Sequence, residues 1–389
     1  MTLHAVGIVA EYNPFHNGHA DQIRRAKTTT GADVVVAAMS GNWVQRGEPA
    51  LMDKWERAQA ALTGGVDLVV ELPSAIAIQP ANLFAAGGVA ILGALGCDWL
   101  AFGTEHPDLD YDRLMANLPT DPATFKRYDQ TYAQLFQGYL KDQTGIALED
   151  PNDILGFFYT LANRQQGQSL RLVPLSRRGS QHGDQTITAA SPFASATAIR
   201  SAALEHDWGA ITPVVPASTL AALQTAQLTD WEDFWPALQY QLVSGHVTDL
   251  RQYYQITEGI EYRLQRAALD SVSFAAFMQA VKTKRYTYTR LQRQATYLLG
   301  QIKPAEMVAE PQYLRVLGYS DRGQAYLHQI KKQVALPLIS RADRAWLNGA
   351  GALDNRLGAI RTLITGVPQD YGRIPVKIAD SDRLSRKLP

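Results

Sequence analysis

The 389-residue chain has a single cysteine, Cys97, so no internal disulfide can staple it and a reducing compartment is expected. No apolar run approaches the roughly 20 residues that span a bilayer. The N-terminus also lacks a basic stretch followed by a signal-peptide core. No membrane partner is expected, and a cytoplasmic location is. Internal repeats, low-complexity tracts and long linkers are missing too, which leaves an ordinary folded chain long enough for two or three domains. Net charge is also absent, since 37 Lys and Arg balance 37 Asp and Glu.

That balance conceals a division. Residues 241–389 hold 22 Lys and Arg against 12 Asp and Glu, whereas residues 1–240 hold 15 against 25. A basic half favours a polyanionic partner, and an acidic half favours cations. The pattern of elements divides in a similar place. Val6 to Ala10, Val34 to Ala38, Leu68 to Leu72, Leu100 to Phe102 and Leu170 to Leu175 are short apolar runs suited to buried parallel strands. Helical patterns lie among them at 18–30, 53–64, 81–96, 108–118, 123–140 and 151–165. This alternation predicts an α/β fold with a Rossmann-like parallel sheet and a ligand site at the carboxyl ends of its strands. Beyond Arg200 strand-like runs become rare, and eight segments between 216 and 365, one of them 247–267, carry helical periodicity. The expected organisation is an α/β domain over residues 1–208, followed by a mainly α-helical basic domain over 209–389.

The most informative stretch runs from Gly7 to His19. An apolar strand ends at Asn13-Pro14, because proline cannot continue a ladder and biases its predecessor to extended geometry. His16-Asn17-Gly18-His19 then opens a helix. Two imidazoles at a helix N-terminus, beside unpaired N–H groups and the positive dipole end, suit an α-phosphate under nucleophilic attack. A zinc site is disfavoured, since one cysteine and no third histidine nearby leave the ligand set incomplete. Far along the chain, Ser195, Thr197 and Arg200 form an S-x-T-x-x-R at another helix start, where hydroxyls and a guanidinium suit the outer phosphates. A plain N-cap needs only the serine. Paired with H-x-G-H at the two ends of an α/β region, the motif reads as the second half of a triphosphate grip.

With these segments the chain resembles the tRNA(Met) cytidine acetate ligase family, a branch of the H-x-G-H nucleotidyltransferase superfamily. The resemblance covers nearly the whole chain. It is carried by Gly7 to His19 (G-I-V-A-E-Y-N-P-F-H-N-G-H), Met39 to Pro49 (M-S-G-N-W-V-Q-R-G-E-P) and Asp67 to Pro73 (D-L-V-V-E-L-P). Phe102 to Glu105 (F-G-T-E), Pro151 to Leu155 (P-N-D-I-L), Ser195 to Arg200 (S-A-T-A-I-R) and Thr283 to Tyr288 (T-K-R-Y-T-Y) add to it. The resemblance implies that acetate is activated with ATP as acetyl-adenylate, releasing pyrophosphate, and that the acetyl group passes to N4 of the wobble cytidine of elongator tRNA(Met). It also implies an ATP-binding loop over Ile8-Val9-Ala10-Glu11-Tyr12-Asn13-Pro14-Phe15-His16-Asn17-Gly18-His19-Ala20-Asp21, with further nucleotide contacts from Gly103, Asn152 and Arg177. Arg178 is the neighbouring alternative to Arg177. The chain departs from the family's usual Tyr-His-Asp run, reading Gln181-His182-Gly183-Asp184.

His16 and His19 are the expected catalytic pair. Mg²⁺ is expected with ATP, although no dedicated metal cage is visible. The densest basic run, Lys282 to Arg293, interleaves aromatic rings with cations, a composition that suits backbone phosphates and unstacked bases. Lys282, Lys284, Arg285, Arg290 and Arg293 are the expected tRNA contacts. Lys331, Lys332, Arg341, Arg344, Arg356 and the run Arg383 to Lys387 are weaker candidates. The group that takes the proton leaving N4 is open among His182, Asp33 and Glu105, and no oligomeric state is read. The runner-up function is a nucleotidyltransferase that adenylylates or cytidylylates a small phosphomonoester, which would have no use for the basic half. A non-catalytic RNA-binding protein would have no use for the two phosphate motifs.

Overall fold

The computed structural model describes residues 2–116, 137–139, 141–142, 145, 148, 150–167, 169–178, 186–188, 191–283 and 286–382. The elements begin as the alternation requires, with β1 Ala5–Ala10, α1 Asn17–Thr30, β2 Val34–Ser40, α2 Lys54–Thr63 and β3 Leu68–Leu72. Next come α3 Ala81–Ala94, β4 Trp99–Thr104, α4 Pro151–Gln165 and β5 Arg171–Ser176. The helix expected over 123–140 lies largely outside the described residues.

Strands β1, β2 and β3 pair in parallel in that order, while β4 and β5 lie on the other side of β1, also parallel. Strand order therefore reverses between β1 and β4, and at such a reversal a crevice opens at the carboxyl ends of the strands. Every residue of β2 and β3 is buried. That is why their sequences are continuous apolar runs rather than alternating ones. Helices α3 and α4 cover one face, burying Phe84, Val89 and Phe157 with Val36 and Leu100. Helices α1 and α2 cover the other, burying Ile23, Ala26 and Ala58 with Val6, Val35 and Val69.

After β5 the chain enters α5 Ala196–Leu204 and then a helical block of α6 Trp231–Ser244, α7 Ile260–Asp270, α8 Phe274–Val281 and α9 Tyr288–Leu299. The helix expected over 247–267 is broken. Glu258 and Gly259 take φ of 66° and 84°, and α7 starts only at Ile260. The block has its own core around Phe234, Leu264, Phe277 and Leu298. Trp43, from the loop after β2, inserts into it with ring centroids 5.5 Å from Trp231 and 5.1 Å from Phe234. The helical block thereby holds a loop that begins at the carboxyl end of the sheet.

Strand-like runs are rare in this half, yet the chain returns to the sheet. β6 Leu314–Ser320 pairs antiparallel with β3, and β7 Leu338–Ile339 and β8 Val376–Ile378 both add to β6 in parallel. Its sequence hid this strand because Arg315 and Gly318 interrupt the apolar run. Arg315 is fully buried, with its guanidinium 5.4 Å from the Trp55 ring and 5.5 Å from the Trp346 ring. Aromatic faces there replace part of the water a surface cation would keep. Among the described residues no helix is long and apolar enough to cross a membrane.

Candidate active site

His16 is the N-cap of α1, and its side chain closes the helix end. Its Nδ1 accepts the Gly18 N–H at 3.1 Å, and the Nδ1 of His19 accepts the His16 N–H at 3.3 Å. The rings stack with centroids 3.7 Å apart. Desolvation, with the cations Arg177 and Arg200 adding to it, lowers the pKa of His16 to about 3, and burial with neighbouring positive charge holds His19 well below the ordinary histidine value. Both rings are therefore neutral near pH 7. Because each Nδ1 accepts, each Nε2 carries the proton and is the free donor.

One expectation changes here. The first amides of α1 are not free for phosphate: Asn17 N–H donates to the Val214 carbonyl at 3.0 Å, and the His19 and Ala20 N–H groups donate to the His16 carbonyl at 2.9 and 3.2 Å. Imidazole donors and the helix dipole remain to meet an anion, not a nest of open backbone amides.

The S-x-T-x-x-R segment is fastened to this loop. Asn17 Nδ2 donates to the carbonyls of Pro192 and Pro213, each at 3.0 Å. Arg200 Nη1 donates to the Asn13 carbonyl at 2.9 Å, while its Nη2 meets Glu48 at 3.3 Å. Ser195 caps α5, accepting the Ala198 N–H at 3.0 Å. Thr197 lies 3.4 Å from Arg200 Nη2. On the opposite side, Gly103, next to last in β4, lies beside the Arg177 side chain, where an added Cβ would stand 3.4 Å from Arg177 Cγ. Glu105 joins the remaining contacts, accepting from Asn152 Nδ2 at 2.6 Å and facing Arg177 Nε at 3.6 Å. Asp153 braces this turn, accepting the N–H groups of Glu105 and His106 at 2.9 and 3.2 Å.

These side chains surround a cavity of about 900 Å³. It is lined by Val9, Ala10, Glu11, His16, Gly18, His19 and Asp21 from the first loop, by Gly103, Asn152 and Arg177, and by Ser195, Thr197 and Arg200. Arg178 lines it too, 3.9 Å from Asp21. Ile8, Tyr12, Asn13, Pro14, Phe15 and Ala20 are buried behind the lining. Tyr12 and Phe15 act there as packing for His19, with ring centroids at 4.9 and 5.7 Å.

The far wall comes from α9. Thr287, Thr289, Arg290 and Arg293 line the same cavity as the histidines, whereas exposed Lys282 does not. The basic run is partly scaffold. Tyr286 is only 6% exposed and lies under the Arg290 guanidinium at 5.0 Å, so its ring is not presented to stack on a base. Arg293 is buried against Gly47, and Arg356 is engaged by the Gly300 carbonyl and Glu306 at 2.7 and 2.8 Å. Lys284, Arg285, the 181–184 run and Arg383 to Lys387 lie outside the described residues.

Sequence reasoning missed Arg57. This fully buried side chain on α2 donates to the Glu11 carbonyl at 2.6 Å, the Ser40 carbonyl at 3.1 Å, the Met52 carbonyl at 3.1 Å and the Gly41 carbonyl, tying the ends of β1 and β2 together. Its signal was faint: a cation one turn after Lys54 on a face otherwise made of Trp55, Ala58, Ala61 and Leu62.

A switch-point crevice holding a histidine pair and a tethered S-x-T-x-x-R is the arrangement expected of a nucleotidyltransferase. Consistent with this, the family model described as HIGH Nucleotidyl Transferase matches residues 3–369, and the chain belongs to that family. It is 70% identical to the tRNA(Met) cytidine acetate ligase of Levilactobacillus brevis, over 98% of this chain and 100% of that protein. To the Lactiplantibacillus plantarum protein of the same name it is 48% identical, over 97% of this chain and 99% of that one. Within the broader class, then, the chain is a member of the tRNA(Met) cytidine acetate ligase family. Its fold matches the apo crystal structure of Thermotoga maritima TmcAL, with TM-score 0.89 and 27% identity over 97% of this chain and 100% of that one. The structure of that protein bound with alpha-thio ATP matches at TM-score 0.86 and 26% identity, with the same coverage.

Proposed function

We propose that the chain activates acetate with ATP as acetyl-adenylate and transfers the acetyl group to N4 of the wobble cytidine of elongator tRNA(Met). The observation that carries this reading is that one cavity has the neutral histidine pair and phosphate grip on one wall and the basic end of α9 on the other. The names of the relatives, and the ATP analogue bound by the Thermotoga protein, support the choice of substrates.

In the first step an acetate oxygen attacks the α-phosphorus of ATP and pyrophosphate leaves. The Nε2–H groups of His16 and His19 are placed to stabilise charge on the α-phosphate oxygens, and Arg200 and Arg177 to hold the phosphates. Positioning and electrostatics do the work, with no covalent enzyme intermediate. In the second step N4 attacks the acetyl carbonyl and AMP leaves. Mg²⁺ enters in this reading with the nucleotide, held by phosphate oxygens. The cavity carboxylates accord with that, because Asp21 is engaged by arginines, Glu48 by Arg200, and one oxygen of Glu11 by the Gln45 N–H.

Residues 1–208 would then bind ATP and residues 209–389 would bring the tRNA, through Lys282, Lys284, Arg285 and Arg290, with buried Arg293 holding α9 in place. This division concerns function, since β6, β7 and β8 return to the same sheet. The work would take place in the cytoplasm, where tRNA is found. Varying acetate and tRNA separately tests the reading: AMP and pyrophosphate should form with acetate, and acetyl label should reach tRNA only when both are present. ADP and phosphate as products, or turnover sustained by a phosphomonoester alone, would overturn it.

A further inference from the structure

Acyl transfer leaves one proton to place, because the amine at N4 loses it on becoming an amide. Of the three groups open from sequence, the two described ones do not fit. Asp33 lies at the amino ends of the strands, where its carboxylate accepts the His4 N–H at 3.0 Å, so it faces away from the cavity. Glu105 is engaged by Asn152 and Arg177, and His182 lies outside the described residues.

Glu11 is placed differently. It follows the last residue of β1, at the switch point, and lines the cavity with both histidines. One carboxyl oxygen, Oε1, accepts the Gln45 N–H at 2.9 Å, and the Glu11 carbonyl accepts from Arg57 at 2.6 Å. The carboxylate is thus anchored from two sides. Asp21 and Glu48 in the same wall each face a guanidinium at ion-pair distance, and Glu11 has no ion pair among the described residues. The charged and titratable groups that face it are Glu48, Arg46 and Arg200, with Arg57 from α2 and Tyr159 from α4. Burial, with Glu48 adding to it, raises its pKa above the ordinary carboxyl value against the Gln45 N–H and the two arginines. A raised carboxyl is a stronger base than a surface one.

The geometry points to Glu11 as the proton acceptor of the acyl-transfer step. As N4 of the cytosine bonds to the acetyl carbonyl carbon, an N4 proton passes to the Glu11 carboxylate. The bond from that carbon to the phosphate oxygen breaks, and its electron pair leaves on AMP. This assignment rests on the acyl-transfer reading above and adds a second task to a residue of the nucleotide loop.

The test separates the half-reactions. Acetate-dependent ATP–pyrophosphate exchange reads adenylation, and single turnover of synthetic acetyl-adenylate with tRNA(Met) reads transfer. Glu11→Gln keeps an acceptor for the Gln45 N–H and removes the base. Its transfer rate should fall by about 10²-fold or more, and by at least tenfold more than its exchange rate. The wild-type transfer rate should also fall as pH drops through the raised Glu11 pKa, a limb the residual Glu11→Gln rate lacks. Equal losses in the two half-reactions, an unchanged transfer rate, or a wild-type transfer profile with no acid limb would overturn the assignment. The wild-type profile keeps the test valid even if the variant folds poorly. Wild-type protein with no acetate-dependent exchange would instead remove the underlying acyl-ligase reading.

Discussion

The two walls of the cavity use charge in opposite ways. On the nucleotide wall the histidines are neutral, their Nδ1 atoms are committed to backbone N–H groups, and each nearby arginine is already paired: Arg200 with Glu48, Arg177 with Glu105. Donors there are few, fixed and directional. The α9 wall comes from the most basic run of the chain, yet Arg293 is buried and Arg290 lies over Tyr286. A count of cations therefore does not say what each one does, since Arg293 is packed away while Arg290 lines the cavity. A phosphate undergoing displacement needs a few well-aimed donors in a desolvated site, whereas a polyanion responds to a field summed over many charges.

The sharpest way to break this contrast is His19→Ala. It removes one Nε2–H donor and the acceptor for the His16 N–H, so acetate-dependent pyrophosphate exchange should fall by about 10²–10³-fold, while tRNA affinity changes far less. A comparable loss of tRNA affinity would show that the two walls do not act separately. The exchange profile of the wild type should also show no limb near the ordinary histidine pKa, because His16 titrates at about 3 and His19 is held well below its usual value. The sign for stability follows from the same depression. Unfolded histidines take protons that the folded pair refuses, so the pair's contribution is fully present above the unfolded pKa and declines as pH falls toward the folded values.

How much of this was legible in the sequence differs between the walls for a physical reason. The histidine part of the first wall is one contiguous loop, and Asn13-Pro14 and the capping histidines leave local signatures there. The central strands β2 and β3 were legible too, because a sheet covered on both faces writes nearly unbroken apolar runs. Arg57 and β6 were not, since a buried arginine looks like a surface one until its partners are known. The carbonyls that receive Arg57 come from Glu11, Ser40, Gly41 and Met52, and the rings that receive Arg315 from Trp55 and Trp346. The open-amide picture of α1 failed similarly, because Val214, nearly 200 residues away, takes the Asn17 N–H.

Gly47 is where the two walls touch, and it offers a smaller effect. Its φ is 80°, and an added Cβ would stand 2.5 Å from Arg293 Cα and 2.6 Å from Arg293 N. Those are backbone atoms, so no rotamer change can relieve the contact. Gly47→Ala should destabilise the fold by about 2–4 kcal/mol, combining left-handed strain with overpacking, and thermal unfolding measures it. Variant protein that remains folded should lose tRNA affinity more than exchange activity, because α9 is the element displaced. An unchanged melting temperature would mean that the loop and α9 are not in contact.

The smallest expected effect tests the field on the second wall. Arg290 is half-buried and lines the cavity, so Arg290→Glu should weaken tRNA binding about tenfold at low salt and reduce the slope of log affinity against log salt by about 1. Salt dependence is the informative readout, because a lost packing contact with Tyr286 would weaken binding without changing the number of counterions released. If affinity falls and the slope does not move, Arg290 is scaffold like Arg293. The tRNA field would then have to come from Lys282 and the neighbouring cations of the same run, and the division between aimed donors and summed field would lie further from the cavity.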